Sequence, residues 1–184
     1  NPCPKCLGEA MLGSEAGLIQ SQEFSLYPWI GTAVHYYLEH SIFKEAEHEL
    51  KLYVGDVPGY GPIKGTTDIY FPEEGIVGDW KIVGLKKIKQ YRLKGVPLQY
   101  RYQAQLYAHG CELAGKNVKS IAIIFIPRDS GNANDIWIHE EKYQSEMAQA
   151  ALDRAGRIYE EANRLGWEAL PSSDDCWNCN MNGW

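Results

Sequence analysis

Residues 62–84, with the sequence PIKGTTDIYFPEEGIVGDWKIVG, decide the fold that we expect for this chain. Two runs rich in β-branched and aromatic residues, PIKGTTDIYF and GIVGDWKIVG, are separated by a short turn at PEEG. This pattern predicts two β-strands joined as a hairpin. Because successive side chains of a strand point to opposite faces, Asp79 and Lys81 share one face and Trp80 takes the other. The hairpin would bring Asp68 close to both.

Around this hairpin, the spacing of apolar residues predicts further elements. In chain order they are a helix from Pro28 to about Leu50, a strand at 51–55, a loop with a short helix at 84–97, a helix at 97–115, a buried strand at 119–127, a more exposed strand at 135–140 and a long amphipathic helix at 141–166. About 20 residues before Pro28 have no clear period. The order predicts an α/β or α+β fold with a central mixed sheet flanked by helices. The length predicts one domain over residues 1–184, with its core at about 28–165.

Two carboxylates and one amine on a hairpin indicate phosphodiester chemistry. Hard cations such as Mg²⁺ bind oxygen ligands and keep several waters, which leaves a water available to attack phosphorus. Lys81 is suited to stabilise charge on the phosphate oxygens or to orient that water. Taken alone, the D-W-K tripeptide is weak, because an edge strand with solvated charges has the same sequence.

A local basic stretch follows this strand. No acidic residue lies between Asp79 and Glu112, whereas seven of the 18 basic residues of the chain do. Tyr91, Tyr100, Tyr102 and Tyr107 are interleaved with them, as in a groove that holds a nucleic-acid backbone and stacks bases. A solvated loop and helix face is the alternative. The net charge of -6 argues against a protein that coats nucleic acid indiscriminately.

Four motifs occur in order: GTAVHYYLE at 31–39, GTTDIY at 65–70, GDWKIVG at 78–84, and a Q-x-x-x-Y spacing at Gln103 and Tyr107. Together they resemble the RecB-type branch of the PD-(D/E)xK nucleases, which includes phage exonucleases and CRISPR-adaptation nucleases. The resemblance implies a restriction-endonuclease-like core. One departure is Ile82, since many relatives have Thr after the lysine.

The resemblance also implies roles for individual residues. The metal ligands would be His35, Asp68, Asp79 and the backbone carbonyl of Trp80. Asp68, Asp79 and Lys81 would be catalytic, and the ion would be Mg²⁺ or Mn²⁺. Gln103 and Tyr107, one helical turn apart, would contact DNA or orient the lysine. The expected DNA-binding residues are these two with Lys86, Lys87, Lys89, Arg92 and Arg101, and Glu39 would fix the imidazole of His35.

Each of these roles has a plainer alternative. A histidine on an apolar helix is ordinarily a satisfied core residue, and only the flanking Gly-Thr and Leu-Glu favour a ligand at His35. Gln103 and Tyr107 are also compatible with simple packing.

Four of the five cysteines form two C-x-x-C pairs, Cys3 with Cys6 and Cys176 with Cys179. Two such knuckles, at 3–6 and 176–179, complete a four-sulfur metal site that would clip the chain ends together. Some RecB-type relatives hold a four-iron cluster with one cysteine before the core and three after it. The two-plus-two arrangement here departs from that, and C-P-K-C-x-G is typical of zinc ribbons, so zinc is favoured over iron-sulfur. Redox use of the pairs is a further alternative, and Cys111 is expected to be a small buried residue.

We therefore expect a metal-dependent DNA nuclease, an exonuclease acting on DNA ends or single strands in recombination, repair or phage DNA metabolism. The alternatives are a structure-specific endonuclease or resolvase with the same chemistry, and a non-catalytic zinc-clipped DNA-binding module. No helicase motif is evident, so unwinding would come from a helicase or recombination partner. No apolar run approaches the ~20 residues of a membrane span, and no signal segment opens the chain. These features predict a soluble, cytoplasmic protein of a bacterial or phage-infected cell, without membrane association.

Overall fold

Five strands form one mixed sheet in the order β1-β2-β3-β4-β5, flanked by helices. The computed structural model describes residues 3–13, 26–43 and 45–173, together with Cys176 and Cys179. The strands are β1 Glu47–Val57, β2 Gly61–Phe71, β3 Ile76–Val83, β4 Ser120–Pro127 and β5 Trp137–Lys142. The helices are α1 Pro4–Leu12, α2 Tyr27–Tyr37, α3 Leu85–Lys94, α4 Leu98–Leu113 and α5 Ser145–Leu165. The predicted fold class, a mixed α/β sheet flanked by helices, is confirmed.

The predicted hairpin is present as β2 and β3. The strands pair antiparallel, with Ile69 opposite Gly78 and Phe71 opposite Ile76. Gly75 closes the turn by donating its N–H to the carbonyl of Phe71 at 2.8 Å, and its φ of 72° lies where glycine is favoured. An added Cβ at Gly78 would stand 2.5 Å from Ile69 Cγ2. The two strands therefore pack closely just beside the two aspartates.

β4 and β5 extend this hairpin on the side of β3, whereas β1 lies on the side of β2. β4 runs parallel to β3 from the Ile76–Ser120 pair to the Val83–Pro127 pair, and β5 returns antiparallel to β4. A parallel pair needs a crossover connection, which α3 and α4 provide between β3 and β4. β4 is almost wholly buried, as predicted from its continuous apolar run.

Strand alternation assigns the two faces of β3 to different helices. Trp80 packs in a cluster with Leu38, Ile69, Ala122 and Ile124, against which Val34 of α2 also packs. Lys81 points to the opposite face, where its Nζ donates to Oε1 of Gln103 on α4 at 2.9 Å. Helices α2 and α4 therefore lie on opposite faces of the sheet.

The helix predicted from Pro28 to about Leu50 was too long. The α-helix ends at Tyr37, and a π-helical turn, Leu38–Ile42, follows it. β1 then begins at Glu47 rather than at residue 51. The run from Glu49 to Val54 alternates exposed residues with more buried apolar ones, and burial of one face of a strand overrides the weak helical spacing.

Two further predictions differ from the structure, and two others fall largely outside the described residues. The stretch 84–97 contains a ten-residue helix, α3, rather than mainly loop. The first knuckle at 3–6 is instead the start of a helix, because Cys3 caps α1 and Cys6 lies in its first turn. The predicted irregular stretch before Pro28 falls largely on residues 14–25, outside the described residues, as does the second knuckle apart from Cys176 and Cys179.

The chain divides into two compact units. One comprises Phe24–Gly55 and Lys64–Ala148, and the other comprises Asn1–Glu23, Asp56–Ile63 and Gln149–Trp184. In the second unit, Leu7 and Trp167 pack on a cluster of Ile158, Ala162 and Leu170. Across the described part of the chain, we find no helix with the length and apolar character needed to cross a bilayer.

Candidate active site and cysteine cluster

The two aspartates of the hairpin lie side by side. Extending the register of β2 and β3 places Asp68 opposite Asp79, on the face away from Trp80. The backbone N–H of Trp80 donates to Asp68 Oδ2 at 2.7 Å, which fixes this carboxylate against β3. Asp79 is 2% exposed, so its carboxylate is almost completely removed from water. The strands thus hold two acids together in a poorly solvated place.

Burial raises the pKa of both acids to about 6. For Asp68, the hydrogen bond from Trp80 and the positive charge of Lys81 oppose the effect of burial without cancelling it. For Asp79, the charge of Lys81 opposes burial, whereas the neighbouring Asp68 adds to it. A divalent cation would remove this cost by neutralising two carboxylates at once. The donor set therefore fits a hard metal ion.

Lys81 is held between an acid and an amide. Its Nζ forms an ion pair with Asp79 Oδ2 at 2.6 Å and donates to Gln103 Oε1 at 2.9 Å. The amide Nε2 of Gln103 in turn donates to the hydroxyl of Tyr107 at 3.0 Å. The Tyr107 ring lies against Gly65, where an added Cβ would be 2.7 Å from Tyr107 Cε1. The predicted Gln103 and Tyr107 pair is thus connected to the predicted catalytic lysine.

His35 approaches the same acids from α2. Its Nδ1 lies 3.6 Å from Asp68 Oδ1, and the side chain is 28% exposed. The imidazole is therefore not an ordinary core histidine. The structure brings His35, Asp68, Asp79 and Lys81 together.

A further acid, Glu49, was missed by sequence reasoning. His35, Glu39 and Glu49 each offer one ligand atom, and these three atoms lie within 4.8 Å of one another. Glu49 is on β1, within the segment that was predicted to be helical. The alternation of apolar Leu50, Leu52 and Val54 was the signal that could have placed it on a strand beside the site.

The basic residues of 86–101 divide into two groups. Lys86, Lys87 and Lys89 are exposed on α3. Arg92, also exposed, donates to the carbonyl of Ile136 at 3.4 Å, and its guanidinium lies 5.8 Å from the ring centroid of Trp137. These α3 side chains form a basic surface.

Arg101 has an internal partner. Its Nε donates to Glu141 Oε2 at 2.9 Å. Burial raises the pKa of Glu141, but hydrogen bonds from Gln105 and Arg101 outweigh burial and lower it. Tyr91 and Tyr100 also pack internally, with ring centroids 5.4 and 6.1 Å from that of Phe125. Both tyrosines are half-buried by these contacts, and base stacking by their rings stays a prediction.

The four cysteines of the two C-x-x-C pairs form a cluster. The Sγ of Cys6 lies 3.4 Å from that of Cys176 and 3.5 Å from that of Cys179. The Sγ atoms of Cys179 and Cys3 are also 3.5 Å apart. All four sulfurs lie within 4.8 Å of one another. Sulfurs about 2.3 Å from a tetrahedral ion are about 3.8 Å apart, so the cluster fits four ligands of one ion. The predicted cysteine cluster at the chain ends is confirmed, and Cys111 is buried outside it.

The thiols of the cluster differ in pKa, and therefore in how readily they form the thiolate that binds a metal. Burial raises the pKa of Cys3, but backbone hydrogen bonds from Cys6 and Ser173 outweigh it and lower this pKa to about 6. Burial raises the pKa of Cys179 to about 11. A bound cation would favour the thiolate form at each sulfur.

The fold is similar to those of two solved structures. The crystal structure of SSO0001 aligns with a TM-score of 0.60 and 21% identity, covering 97% of this chain and 77% of that one. The alkaline exonuclease LHK-Exo from Laribacter hongkongensis aligns with a TM-score of 0.54 and 8% identity, covering 89% of this chain and 80% of that one. No protein-family model and no curated protein sequence matches the chain. The chain therefore shares its fold with these two proteins, one of which is an alkaline exonuclease.

Proposed function

We propose that the chain is a Mg²⁺- or Mn²⁺-dependent deoxyribonuclease of the RecB-type PD-(D/E)xK branch. The observation that carries this proposal is the convergence of Asp68, Asp79 and Lys81 on one face of a hairpin, with His35 beside them. Asp79 is buried and Asp68 is half-buried, and both carboxylates have raised pKa values, so the pair is unfavourable as two anions unless it binds a metal. The similarity of the fold to that of an alkaline exonuclease is consistent with this chemistry.

The residues that would hold the ion are His35, Asp68, Asp79 and the carbonyl of Trp80. When bound, the ion would lower the pKa of a water and neutralise charge on the phosphate. Asp68 is fixed by the Trp80 N–H and cannot turn away without losing that hydrogen bond. Asp79 is held in place by burial, so the acid pair is preorganised.

Lys81 would stabilise the negative charge that develops on the phosphate oxygens. A preorganised cation in a poorly solvated site contributes more than one in water, because no solvent must reorganise during the reaction. Gln103 would restrain the ammonium group by accepting its hydrogen bond, and Tyr107 would restrain Gln103 in turn. The lysine would thereby reach the phosphate at little cost in side-chain entropy.

DNA is the proposed substrate, and α3 provides a surface for its backbone. Lys86, Lys87, Lys89 and Arg92 are exposed on this helix, which begins directly after the strand that carries Lys81. Clustered lysine and arginine side chains bind phosphates in a salt-dependent way. Arg101 would contribute only if DNA displaced Glu141.

The cysteine cluster is proposed to hold a structural ion, zinc in preference to an iron-sulfur cluster. In a four-iron cluster each thiolate binds a different iron, so the sulfurs lie farther apart than around a single ion. Separations of 3.4 and 3.5 Å favour the single ion. Anaerobically purified protein should be colourless and contain one equivalent of zinc. A brown protein with broad visible absorbance would refute this assignment.

The nuclease proposal is tested with end-labelled single- and double-stranded DNA in Mg²⁺ or Mn²⁺. We expect cleavage that stops in EDTA and is lost in Asp79→Asn and Lys81→Ala. Lys51→Ala, which removes an exposed lysine on β1, is the matched control and should remain active. Thermal unfolding of each variant would verify that it is folded. A folded Asp79→Asn variant with full divalent-dependent activity would contradict the proposal.

Circular single-stranded DNA then separates the two modes of attack. An obligate exonuclease leaves it intact, whereas an endonuclease linearises it. Tight DNA binding in EDTA together with no cleavage in Mn²⁺ would identify a binding module instead.

A further inference from the structure

A second group of metal-ligating side chains adjoins the aspartate pair. His35 and Glu39 lie one turn apart on the α2 and π-helical segment, and Glu49 faces them from β1. Their ligand atoms are within 4.8 Å of one another, and the three residues line an open cavity of about 470 Å³. His35 and Glu39 are half-buried and Glu49 is exposed, so the group is accessible from solvent.

The separations suit one divalent ion. Ligands at about 2.1–2.4 Å from a Mg²⁺, Mn²⁺ or Ca²⁺ ion lie no more than about 5 Å apart, even when they are on opposite sides of it. An imidazole with two carboxylates is a donor set that Mn²⁺ accepts well. The three side chains supply only part of a coordination shell, and the open cavity leaves room for water or a phosphate oxygen to complete it.

In the part of the chain that the structure describes, the charges of the two glutamates are not balanced by a lysine or arginine. Glu39 Oε2 lies 3.9 Å from His40 Nδ1, and the Glu39 side chain also forms a hydrogen bond with that of Glu49. A divalent cation bound between the two carboxylates would neutralise both of them.

The backbone of β1 brings Glu49 to this position. Glu49 has a φ of 48°, the only positive φ of a non-glycine residue within the described ranges. The left-handed region is rarely used by long side chains, so the surrounding structure enforces this conformation. The distortion places the carboxylate with His35 and Glu39.

We propose that His35, Glu39 and Glu49 form a second divalent-cation site, which adjoins the site assigned to Asp68 and Asp79 and shares His35 with it. His35 lies between the two carboxylate pairs, since its Nδ1 is also 3.6 Å from Asp68 Oδ1. Binding of this cation does not depend on nuclease activity. Its use in cleavage, as a second charge on the DNA phosphates, rests on the proposed function.

Manganese binding to the protein, with its cysteine cluster left as purified, tests the site. The EPR signal of free aqueous Mn²⁺ reports how many equivalents the protein removes. We expect two equivalents for the wild type, one for Glu49→Gln and one for Asp79→Asn. The double variant should bind none. Glu73→Gln, which neutralises an exposed glutamate in the β2–β3 turn, is the matched control and should bind two.

The outcomes separate this inference from the nuclease proposal. Unchanged binding in both Glu49→Gln and Glu49→Gly would overturn the inference. Gly tolerates the left-handed backbone, so the second variant guards against a folding defect. If Glu49→Gln loses an ion and Asp79→Asn does not, the second site stands and the metal site of the proposed nuclease fails. If both lose an ion but wild type cleaves no DNA, only the nuclease function fails.

Discussion

The Tyr107 hydroxyl offers a test of how Lys81 is held, because it contacts Gln103 rather than the lysine. Tyr107→Phe removes the acceptor for Gln103 Nε2, a hydrogen bond of 3.0 Å, and leaves the ring against Gly65. The amide of Gln103 is then free to rotate, and its Oε1 holds Lys81 less firmly. If Lys81 acts on the phosphate, the cleavage rate should fall although Tyr107 does not contact the lysine.

The magnitude follows from the kinds of hydrogen bond involved. A neutral hydrogen bond contributes about 0.5–1.5 kcal/mol, and about 1.4 kcal/mol corresponds to a tenfold change in rate. Tyr107→Phe should therefore lower kcat by about two- to tenfold. Gln103→Ala removes a hydrogen bond to a charged group, worth about 1.5–3 kcal/mol, and should lower kcat by roughly 10- to 100-fold.

Gly65→Ala reaches the same hydroxyl by a different route. The new methyl would lie 2.7 Å from Tyr107 Cε1. The ring must retreat by about 0.8 Å to restore a separation of ~3.5 Å between carbon atoms, which breaks the hydrogen bond to Gln103. We expect a rate loss like that of Tyr107→Phe and a destabilisation of about 1–3 kcal/mol from overpacking.

Single-turnover cleavage of end-labelled DNA measures these rates, and anisotropy in Ca²⁺ measures DNA affinity separately. Tyr60→Phe, an exposed tyrosine in the other compact unit, is the control. The reasoning would be refuted if Tyr107→Phe cleaved at the wild-type rate, or if the loss appeared wholly in DNA affinity. The second result would assign Tyr107 to DNA contact.

Three other predictions concern stability. In EDTA, protonation of Asp79 favours the folded state, because its folded pKa of about 6 exceeds the unfolded value near 3.8. This stabilisation is complete below pH 3.8 and is lost as the pH rises through about 6. The difference in unfolding free energy, wild type minus Asp79→Asn, should therefore fall between pH 5 and pH 7. A difference that does not change with pH would contradict the raised pKa. Asp129 Oδ1 accepts a hydrogen bond of 2.7 Å from the N–H of Leu85, the first residue of α3. Asp129→Ala removes this acceptor and should lower the unfolding free energy by about 1 kcal/mol, which corresponds to about 2–4 °C in Tm by calorimetry. An unchanged Tm would show that water replaces the carboxylate. Cys179→Ser should lower Tm by on the order of 10 °C and release the bound metal, whereas Cys111→Ser, outside the cluster, should retain metal.

Much of the candidate site was predictable because β-strand geometry leaves little freedom. Once residues 76–83 form a strand, Asp79 and Lys81 must share a face, and a short turn at 72–75 must return Asp68 beside them. The i,i+4 spacing of Gln103 and Tyr107 likewise places both on one face of a helix. These relations depend on local geometry alone and hold without knowledge of the tertiary structure.

The errors arose where tertiary packing decides between local alternatives. Residues 38–50 have helical spacing and strand alternation at the same time, and the pairing of β1 with β2 selects the strand. Glu49 also requires a left-handed backbone that no sequence pattern indicates. Arg101 looked like part of a continuous basic stretch, but Glu141 lies 40 residues later in sequence and neutralises it. Such long-range pairs are not visible in a local charge pattern.

The two partners of Lys81 explain why the lysine needs an amide as well as an acid. As the structure stands, Lys81 is paired with Asp79 at 2.6 Å, the same carboxylate that is proposed to bind metal. A divalent ion and an ammonium group compete for that carboxylate, since each is stabilised by its negative charge. If the charge of Asp79 is shared with an ion, a lysine with no other partner would be held less firmly. Gln103, itself fixed by Tyr107, is neutral and does not attract the ion as strongly, so it retains Lys81 beside the phosphate site. This division of roles favours the orienting function of the Gln103 and Tyr107 pair over direct contact with DNA.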